Sequence, residues 1–162
     1  MRTLQEWYTA YGESHQHKTN KKIHYICVPS IYFAIIGLLM AIPNQWLIPV
    51  FKTNSLYISN WANVPLLFLF IFYYRLSKKT LLRIAILSIV SVALNVFISA
   101  YFSLLYFNLT LFILAWIGQF YGHHLEGKKP SFFEDLQFLL IGPAWVLDHF
   151  FNSDTFTAND SI

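Results

Sequence analysis

The chain has 162 residues, of which 56% are apolar, 19% are aromatic and only 12% are charged, and its formal net charge is +3. Soluble globular domains carry about 25% charged residues, so this composition excludes an ordinary water-soluble protein. The basic residues are also spread over several short segments, which argues against nucleic-acid binding and favours contact with membrane lipids. Because Cys27 is the only cysteine, any metal site would be built from histidines and carboxylates.

Residues 1–22 form a polar lead in which four apolar or aromatic side chains recur at helical spacing: Leu4, Trp7, Tyr8 and Tyr11. This pattern predicts an amphipathic, partly helical segment that lies in the membrane interface and packs against the membrane domain. The lead has no apolar core of the kind that a secretory signal requires. We therefore expect the first span to act as its own insertion signal.

Four apolar stretches are predicted to cross the membrane. Between Arg83 and Glu126 there are 42 consecutive residues without an acidic or basic side chain. A bilayer core needs about 20 apolar residues per helix, so this run holds two spans joined by a tight turn. With the two earlier apolar runs, the predicted spans are residues 27–41, 61–74, 82–98 and 102–120.

A further apolar stretch follows, but it is bounded by Asp135 and Asp148 and interrupted by Pro143. It is too short to span comfortably, so we predict a short interfacial or re-entrant helix over residues 136–150 and a frayed polar tail over 152–162. The predicted fold class is all-α: a polytopic membrane helical bundle of about four transmembrane helices plus this C-terminal helix. We expect a single membrane domain over residues 1–162.

The basic residues predict the orientation of this bundle. With four spans, the segments before the first span, between the second and third, and after the fourth all lie on one face, and the other face carries only Lys52. The positive-inside rule places the basic face in the cytoplasm. We expect a multi-pass integral membrane protein, in a bacterial inner membrane rather than an endoplasmic reticulum, because the chain is compact and lacks a targeting segment.

Six histidines lie on or near that face, and they are the candidates for a site: His15, His17, His24, His123, His124 and His149. Neutral imidazoles suit iron, zinc, copper or nickel. His15 and His24 would point to opposite sides of one unbroken helix, so they can converge only if the chain breaks between them, for example with Thr19 or Asn20 as an N-cap. On a continuous helix, His17 would instead share a face with Asn20 and His24, so spacing leaves His15 and His17 open.

Other polar residues have two interpretations each. Glu126 follows His123 by three residues and is either a solvated interfacial charge or a metal ligand, an acid/base group or an acceptor that orients an imidazole. Gln119, one turn before His123, either faces the same pocket or is structural. Inside the spans, Ser91, Asn95 and Asn108 are expected to make interhelical hydrogen bonds.

Several sequence motifs resemble one membrane family. Residues 15–24 have the spacing His-x4-Asn-x3-His and are followed by Cys-Val-Pro at 27–29; later segments read WIGQFYGH at 116–123, EGKKPS at 126–131 and LLIGP at 139–143. In this order and with this membrane pattern, they resemble the membrane family of 2-hydroxy fatty acid dioxygenases. Its fungal member acts in α-oxidation, and the family was long catalogued as a domain of unknown function.

The resemblance implies an Fe(II)-dependent enzyme that uses dioxygen to shorten a long-chain 2-hydroxy fatty acid by one carbon. It favours His15 over His17 as the first ligand and also matches His24 and His123. With the neighbouring His124, these form the predicted metal-ligand set, and Asn20 and Glu126 are the predicted catalytic residues. The chemistry is reasonable, since a 2-hydroxy acid can chelate iron through its hydroxyl and carboxylate.

Two functions from other classes remain as alternatives. One is a zinc-dependent lipid hydrolase that uses the same histidines. The other is a non-enzymatic membrane scaffold or small transporter whose interfacial histidines bind no metal. Transporters more often carry ionisable groups near the middle of the membrane, and the predicted spans have none.

Overall fold

The computed structural model describes residues 2–127 and 132–151, and this part of the chain contains seven helices and no strand. In chain order the helices are α1 (Leu4–Glu13), α2 (Lys18–Met40), α3 (Ile48–Phe51), α4 (Asn63–Leu76), α5 (Lys78–Ser99), α6 (Leu104–Glu126) and α7 (Phe132–Phe151). The prediction of an all-α bundle is therefore confirmed. The predicted tail over residues 152–162 lies outside the described residues.

Three described helices are long and apolar enough to cross a membrane: α2, α5 and α6. They have 22 or 23 residues, about 33–35 Å at 1.5 Å per residue. Helix α4 corresponds to the predicted span 61–74 and is equally apolar, but its 14 residues cover only about 21 Å. The structure thus supports a membrane helical bundle with three helices of spanning length and a shorter fourth one.

The helices extend beyond the apolar runs that predicted them. Helix α2 begins at Lys18, nine residues before the predicted start at Cys27, because the His17 side chain accepts a hydrogen bond from the Thr19 N–H and caps the helix. Neither Thr19 nor Asn20 is the cap. Helix α6 continues past Phe120 to Glu126 and ends at Gly127, whose φ of 70° is left-handed. An apolar run in the sequence marks only the part of a helix that contacts the hydrocarbon of the membrane. A prediction based on such runs therefore omits the polar helical turns beyond them.

The lead and the C-terminal helix pack on each other. Helix α1 starts with a capping box formed by Thr3 and Glu6 and buries Tyr8 and Tyr11, and its neighbour is α7. The expectation that the lead packs against the membrane domain is therefore met. Helix α7 has 20 residues and contains the predicted segment 136–150, with Pro143 inside it rather than at its end.

The tightest helix pair is α2 with α6. Three glycines lie where the two helices approach each other: Gly37, Gly118 and Gly122. A methyl group at Gly122 would lie 2.3 Å from the Asn20 Oδ1, and one at Gly37 would lie 2.1 Å from the Asn108 Nδ2. These glycines let polar side chains fit between the helices, and they bring the beginning of α2 against the end of α6.

Polar contacts join the three long helices on the side away from the histidines. The Asn108 Nδ2 donates to the Asn95 Oδ1 at 2.8 Å, and the Asn95 Nδ2 donates to the Phe33 carbonyl at 3.4 Å and to the Ser91 carbonyl at 3.0 Å. The expected interhelical hydrogen bonds of Asn95 and Asn108 are thus present, while Ser91 contributes only its backbone oxygen here. The hydrogen bonds of Asn95 with Asn108 and with the Phe33 carbonyl connect α5 with α6 and with α2.

At the opposite end, the polar ends of several helices meet. Arg83, near the start of α5, forms an ion pair with Asp148 at the end of α7. The rings of Tyr25 and His149 have centroids 5.3 Å apart, which places the start of α2 beside the same end of α7. The basic residues at the start of α2 and around the junction of α4 with α5 therefore lie at the end of the bundle where α6 finishes.

We predict that Gly37→Ala lowers the free energy of unfolding by roughly 1–3 kcal/mol, because the new methyl group overpacks the contact between α2 and Asn108. Unfolding in mixed detergent micelles measures this change. The matched control is Gly12→Ala in α1, where nothing lies within 4 Å of the added carbon. Equal effects of the two substitutions would contradict the close-approach role of Gly37.

Candidate metal centre

Three histidines from three segments converge at this end of the bundle. His15 lies in the turn between α1 and α2, His24 lies in α2, and His123 lies in the last turns of α6. Each offers a ring nitrogen, and these nitrogens all lie within 4.8 Å of one another. The convergence depends on the non-helical turn between α1 and α2, because this turn folds His15 back over His24.

The two buried rings are oriented by backbone carbonyls. The Nδ1 of His15 lies 2.6 Å from the Tyr11 carbonyl oxygen, and the Nδ1 of His24 lies 3.0 Å from the Asn20 carbonyl oxygen. A carbonyl oxygen only accepts, so Nδ1 carries the hydrogen in both rings and Nε2 keeps the lone pair. Metal-binding histidines typically donate the hydrogen of their other ring nitrogen in this way, which fixes the orientation of the ring.

The Nε2 of His15 is buried and has no hydrogen-bond partner. His15 and His24 are only 2% and 1% exposed. Buried polar atoms are normally satisfied, so an orphaned one requires an explanation. A metal ion held by the three histidines provides it, and this is the observation on which the fit of the site to a metal rests.

Burial also sets the charge of His15. Removal of its ring from water lowers the pKa of His15, and the neighbouring His123 lowers it further. The ring is therefore neutral at physiological pH, as a metal ligand must be. Stacking on Tyr11, with ring centroids 4.1 Å apart and planes 8° from parallel, holds it in place.

Glu126 fastens the turn that carries His15. Its Oε1 accepts from the Gln16 N–H at 2.6 Å, and its Oε2 accepts from the His17 N–H at 3.0 Å and from the Asn20 Nδ2 at 2.9 Å. A carboxylate before the first turn of α2 also meets the positive end of that helix. Glu126 thus ties the end of α6 to the start of α2.

Asn20 connects the carboxylate to the second histidine. It is fully buried; its side chain donates to Glu126, and its backbone oxygen holds the Nδ1 of His24. Of the two residues predicted as catalytic, Glu126 therefore bonds to the turn that carries His15, and Asn20 orients the ring of His24 through its backbone oxygen. Neither belongs to the group of three possible ligands.

The remaining histidines are not part of this group. His124 was predicted as a fourth ligand, but its side chain is exposed, since consecutive residues of a helix point in directions about 100° apart. His17 is exposed and caps α2. His149 stacks on Trp145 with ring centroids 5.2 Å apart. Among the residues whose side chains the structure describes (2–127, 138 and 140–151), no carboxylate or cysteine joins the three histidines.

A cavity of about 60 Å³ opens beside the three rings. One water needs at least 10–15 Å³ by this kind of measure, so the cavity has room for several groups of the size of a water molecule. Its walls are mainly apolar and aromatic and contain Tyr11, Val28, Ile31, Trp116, Gln119, Phe120 and Phe138 beside the histidines.

Some of these residues were not identified as site residues from the sequence. Tyr11 was assigned only to an amphipathic face, yet it holds His15 with both its ring and its carbonyl. Trp116 and Gly122 entered only as letters of a motif, although Trp116 lines the cavity and Gly122 makes room for Asn20. The available signal was the position of Trp116 two helical turns before His123 and of Tyr11 one turn before His15.

Comparison with known proteins identifies a family. A family model described as Mpo1-like, 2-hydroxy-palmitic acid dioxygenase, matches residues 1–153. No curated protein matches significantly, and neither does any solved structure.

We predict that His24→Ala weakens metal binding by more than about 100-fold. Removal of a residue that only hydrogen-bonds to a metal ligand already costs about 10–100-fold in affinity, and loss of a ligand itself should cost more. Titration of the detergent-purified protein with Co(II), followed by its absorption spectrum, measures this affinity. His15→Ala and His123→Ala should behave similarly.

His124→Ala is the matched control, since it removes an adjacent but exposed imidazole and should leave the affinity unchanged. Glu126→Gln should keep the wild-type Co(II) spectrum, because Glu126 bonds to the turn. A spectrum altered by Glu126→Gln, or equal losses for His124→Ala and His24→Ala, would contradict this ligand set.

Proposed function

The chain belongs to the Mpo1-like family of 2-hydroxy-palmitic acid dioxygenases, and from this premise we propose that it is an Fe(II)-dependent enzyme of α-oxidation. It uses dioxygen to shorten long-chain 2-hydroxy fatty acids by one carbon. The observation that carries the proposal is the buried, unpartnered Nε2 of His15 facing two further imidazoles. A scaffold whose histidines bind no metal would leave this buried nitrogen unsatisfied.

In this proposal, His15, His24 and His123 hold the iron. Three neutral imidazoles leave coordination positions for other ligands, and a 2-hydroxy acid offers a hydroxyl and a carboxylate that can chelate. The chemistry that iron supplies when bound is the activation of dioxygen for oxidative cleavage of the bond between the carboxyl carbon and its neighbour. The protein contributes orientation and the exclusion of water.

Asn20 and Glu126 act as positioning residues in this proposal. Glu126 holds the turn of His15 through the Gln16 and His17 N–H groups. The Asn20 side chain donates to Glu126, and the Asn20 backbone carbonyl accepts from the Nδ1 of His24. Their contribution is to keep two ligands of different segments at a fixed separation. Small displacements in such a site cost activity because the reacting groups must be aligned.

The apolar surroundings suit a membrane-borne substrate. Val28, Ile31, Phe120 and Phe138 line the cavity beside the histidines, and they can cover the first methylene groups of an acyl chain. The site lies at the end of the bundle that carries the basic residues, which the positive-inside rule assigns to the cytoplasm. We therefore propose that the substrate enters from the bilayer at the cytoplasmic face of a bacterial inner membrane.

A second candidate is a zinc-dependent lipid hydrolase. It is favoured by the chemistry of the ligands, because a set of three histidines also occurs in catalytic zinc sites. Such an enzyme would need no dioxygen.

Oxygen uptake distinguishes the two candidates. Iron(II)-reconstituted protein should consume dioxygen when 2-hydroxypalmitate is added and should consume none with palmitate, and His24→Ala should lower the rate by more than about 100-fold. His124→Ala should retain the wild-type rate. Turnover that proceeds with zinc and without dioxygen would contradict the dioxygenase and support the hydrolase.

A further inference from the structure

We propose that Gln119 and Trp116 determine the specificity of the site by binding the hydroxyl and the carboxylate of the 2-hydroxy acid. The inference rests on the proposed function and adds to it the residues that separate a 2-hydroxy acid from an ordinary fatty acid.

The two residues lie on one face of α6 together with a candidate metal ligand. Trp116, Gln119 and His123 follow each other at intervals of three and four residues, so their side chains are neighbours along the helix. All three line the cavity beside the histidine rings. A molecule bound at the metal through its head group would therefore contact this face of α6.

Both residues present a buried polar atom that has no partner. Gln119 is only 6% exposed, and its Oε1 makes no hydrogen bond. The indole Nε1 of Trp116 is buried and also makes none. Buried polar groups of this kind are normally satisfied, and a ligand in the cavity would satisfy both at once.

The two orphaned atoms match the polar atoms of a 2-hydroxy acid. The Gln119 Oε1 accepts, and the only hydrogen-bond donor on the 2-hydroxy acid anion is its hydroxyl group. The Trp116 Nε1 only donates, and the carboxylate of the substrate only accepts. An ordinary fatty acid has the carboxylate but lacks the hydroxyl, so it would leave the Gln119 oxygen unpaired in an apolar cavity.

This asymmetry is what creates discrimination. A site built to hydrogen-bond a hydroxyl group rejects the analogue without it, because the buried protein group then loses its partner. Gln119 should therefore affect the hydroxy acid alone, whereas Trp116 should affect both acids. The competing explanation is an ordered water that bridges the two atoms. In that case, substitution of Gln119 would not weaken binding of the hydroxy acid selectively, and substitution of Trp116 would not weaken binding of both acids.

Equilibrium binding to the full-length, Zn(II)-loaded protein tests the inference, because no turnover occurs when the metal is redox-inert. Radiolabelled 2-hydroxypalmitate and palmitate are titrated against the wild type, Gln119→Leu and Trp116→Phe in the same detergent. We expect Gln119→Leu to weaken binding of 2-hydroxypalmitate roughly tenfold, the value of one hydrogen bond, and to leave palmitate unchanged. Trp116→Phe should weaken both acids by similar factors.

The outcomes separate the inference from the proposed function. If the wild type prefers 2-hydroxypalmitate and Gln119→Leu keeps that preference, the inference is overturned and the proposed function stands. If the wild type itself shows no preference, the inference is overturned as well, and the proposed function is decided separately by oxygen uptake with the iron(II)-loaded protein. Zinc content and thermal midpoint are checked for each variant, and Gln119→Met replaces Gln119→Leu if the latter does not fold.

Discussion

The close approach of α2 and α6 is the constraint on which the site depends. Lipid tails are as apolar as the helices they surround, so membrane helices associate through tight packing and hydrogen bonds rather than through hydrophobic burial. Glycine at position 122 leaves room for the side chain of Asn20, which reaches Glu126. Glu126 also bonds to the backbone of the loop that carries His15. The packing of α2 against α6 therefore fixes the positions of candidate metal ligands from three segments.

Three of the buried polar atoms that the fold does not satisfy lie in this region. The Nε2 of His15, the Oε1 of Gln119 and the Nε1 of Trp116 are all buried without partners, although buried polar groups usually cost stability. They line one cavity, and each matches a component of the proposed reaction: a metal ion, a hydroxyl group and a carboxylate. Unsatisfied polar atoms that line one cavity suit a preorganised binding site, since bound ligands then recover the lost interactions.

Much of this arrangement could be predicted from the sequence, and the errors have physical causes. The apolar runs predicted an all-α membrane bundle, but a run reports only contact with hydrocarbon. The helical turns from Lys18 to Ile26 and from Tyr121 to Glu126 were therefore missed. Spacing showed that His15 and His24 need a chain break between them, yet it misplaced the cap that begins α2. Adjacent histidines could not be separated by spacing alone, so His123 and His124 were both predicted as ligands, whereas only His123 joins the group of three and His124 is exposed. The contribution of Trp116 depends on a single unpaired atom, which no sequence pattern reveals.

The central claim is that three imidazoles, and no carboxylate of the described residues, hold the metal. X-ray absorption at the iron edge of the anaerobic, iron(II)-loaded protein tests it most directly, because multiple scattering from imidazole rings counts the histidine ligands. The account predicts three imidazoles per iron in the wild type, with the spectrum unchanged in His124→Ala. Two or fewer imidazoles per iron, or the loss of one in His124→Ala, would contradict it.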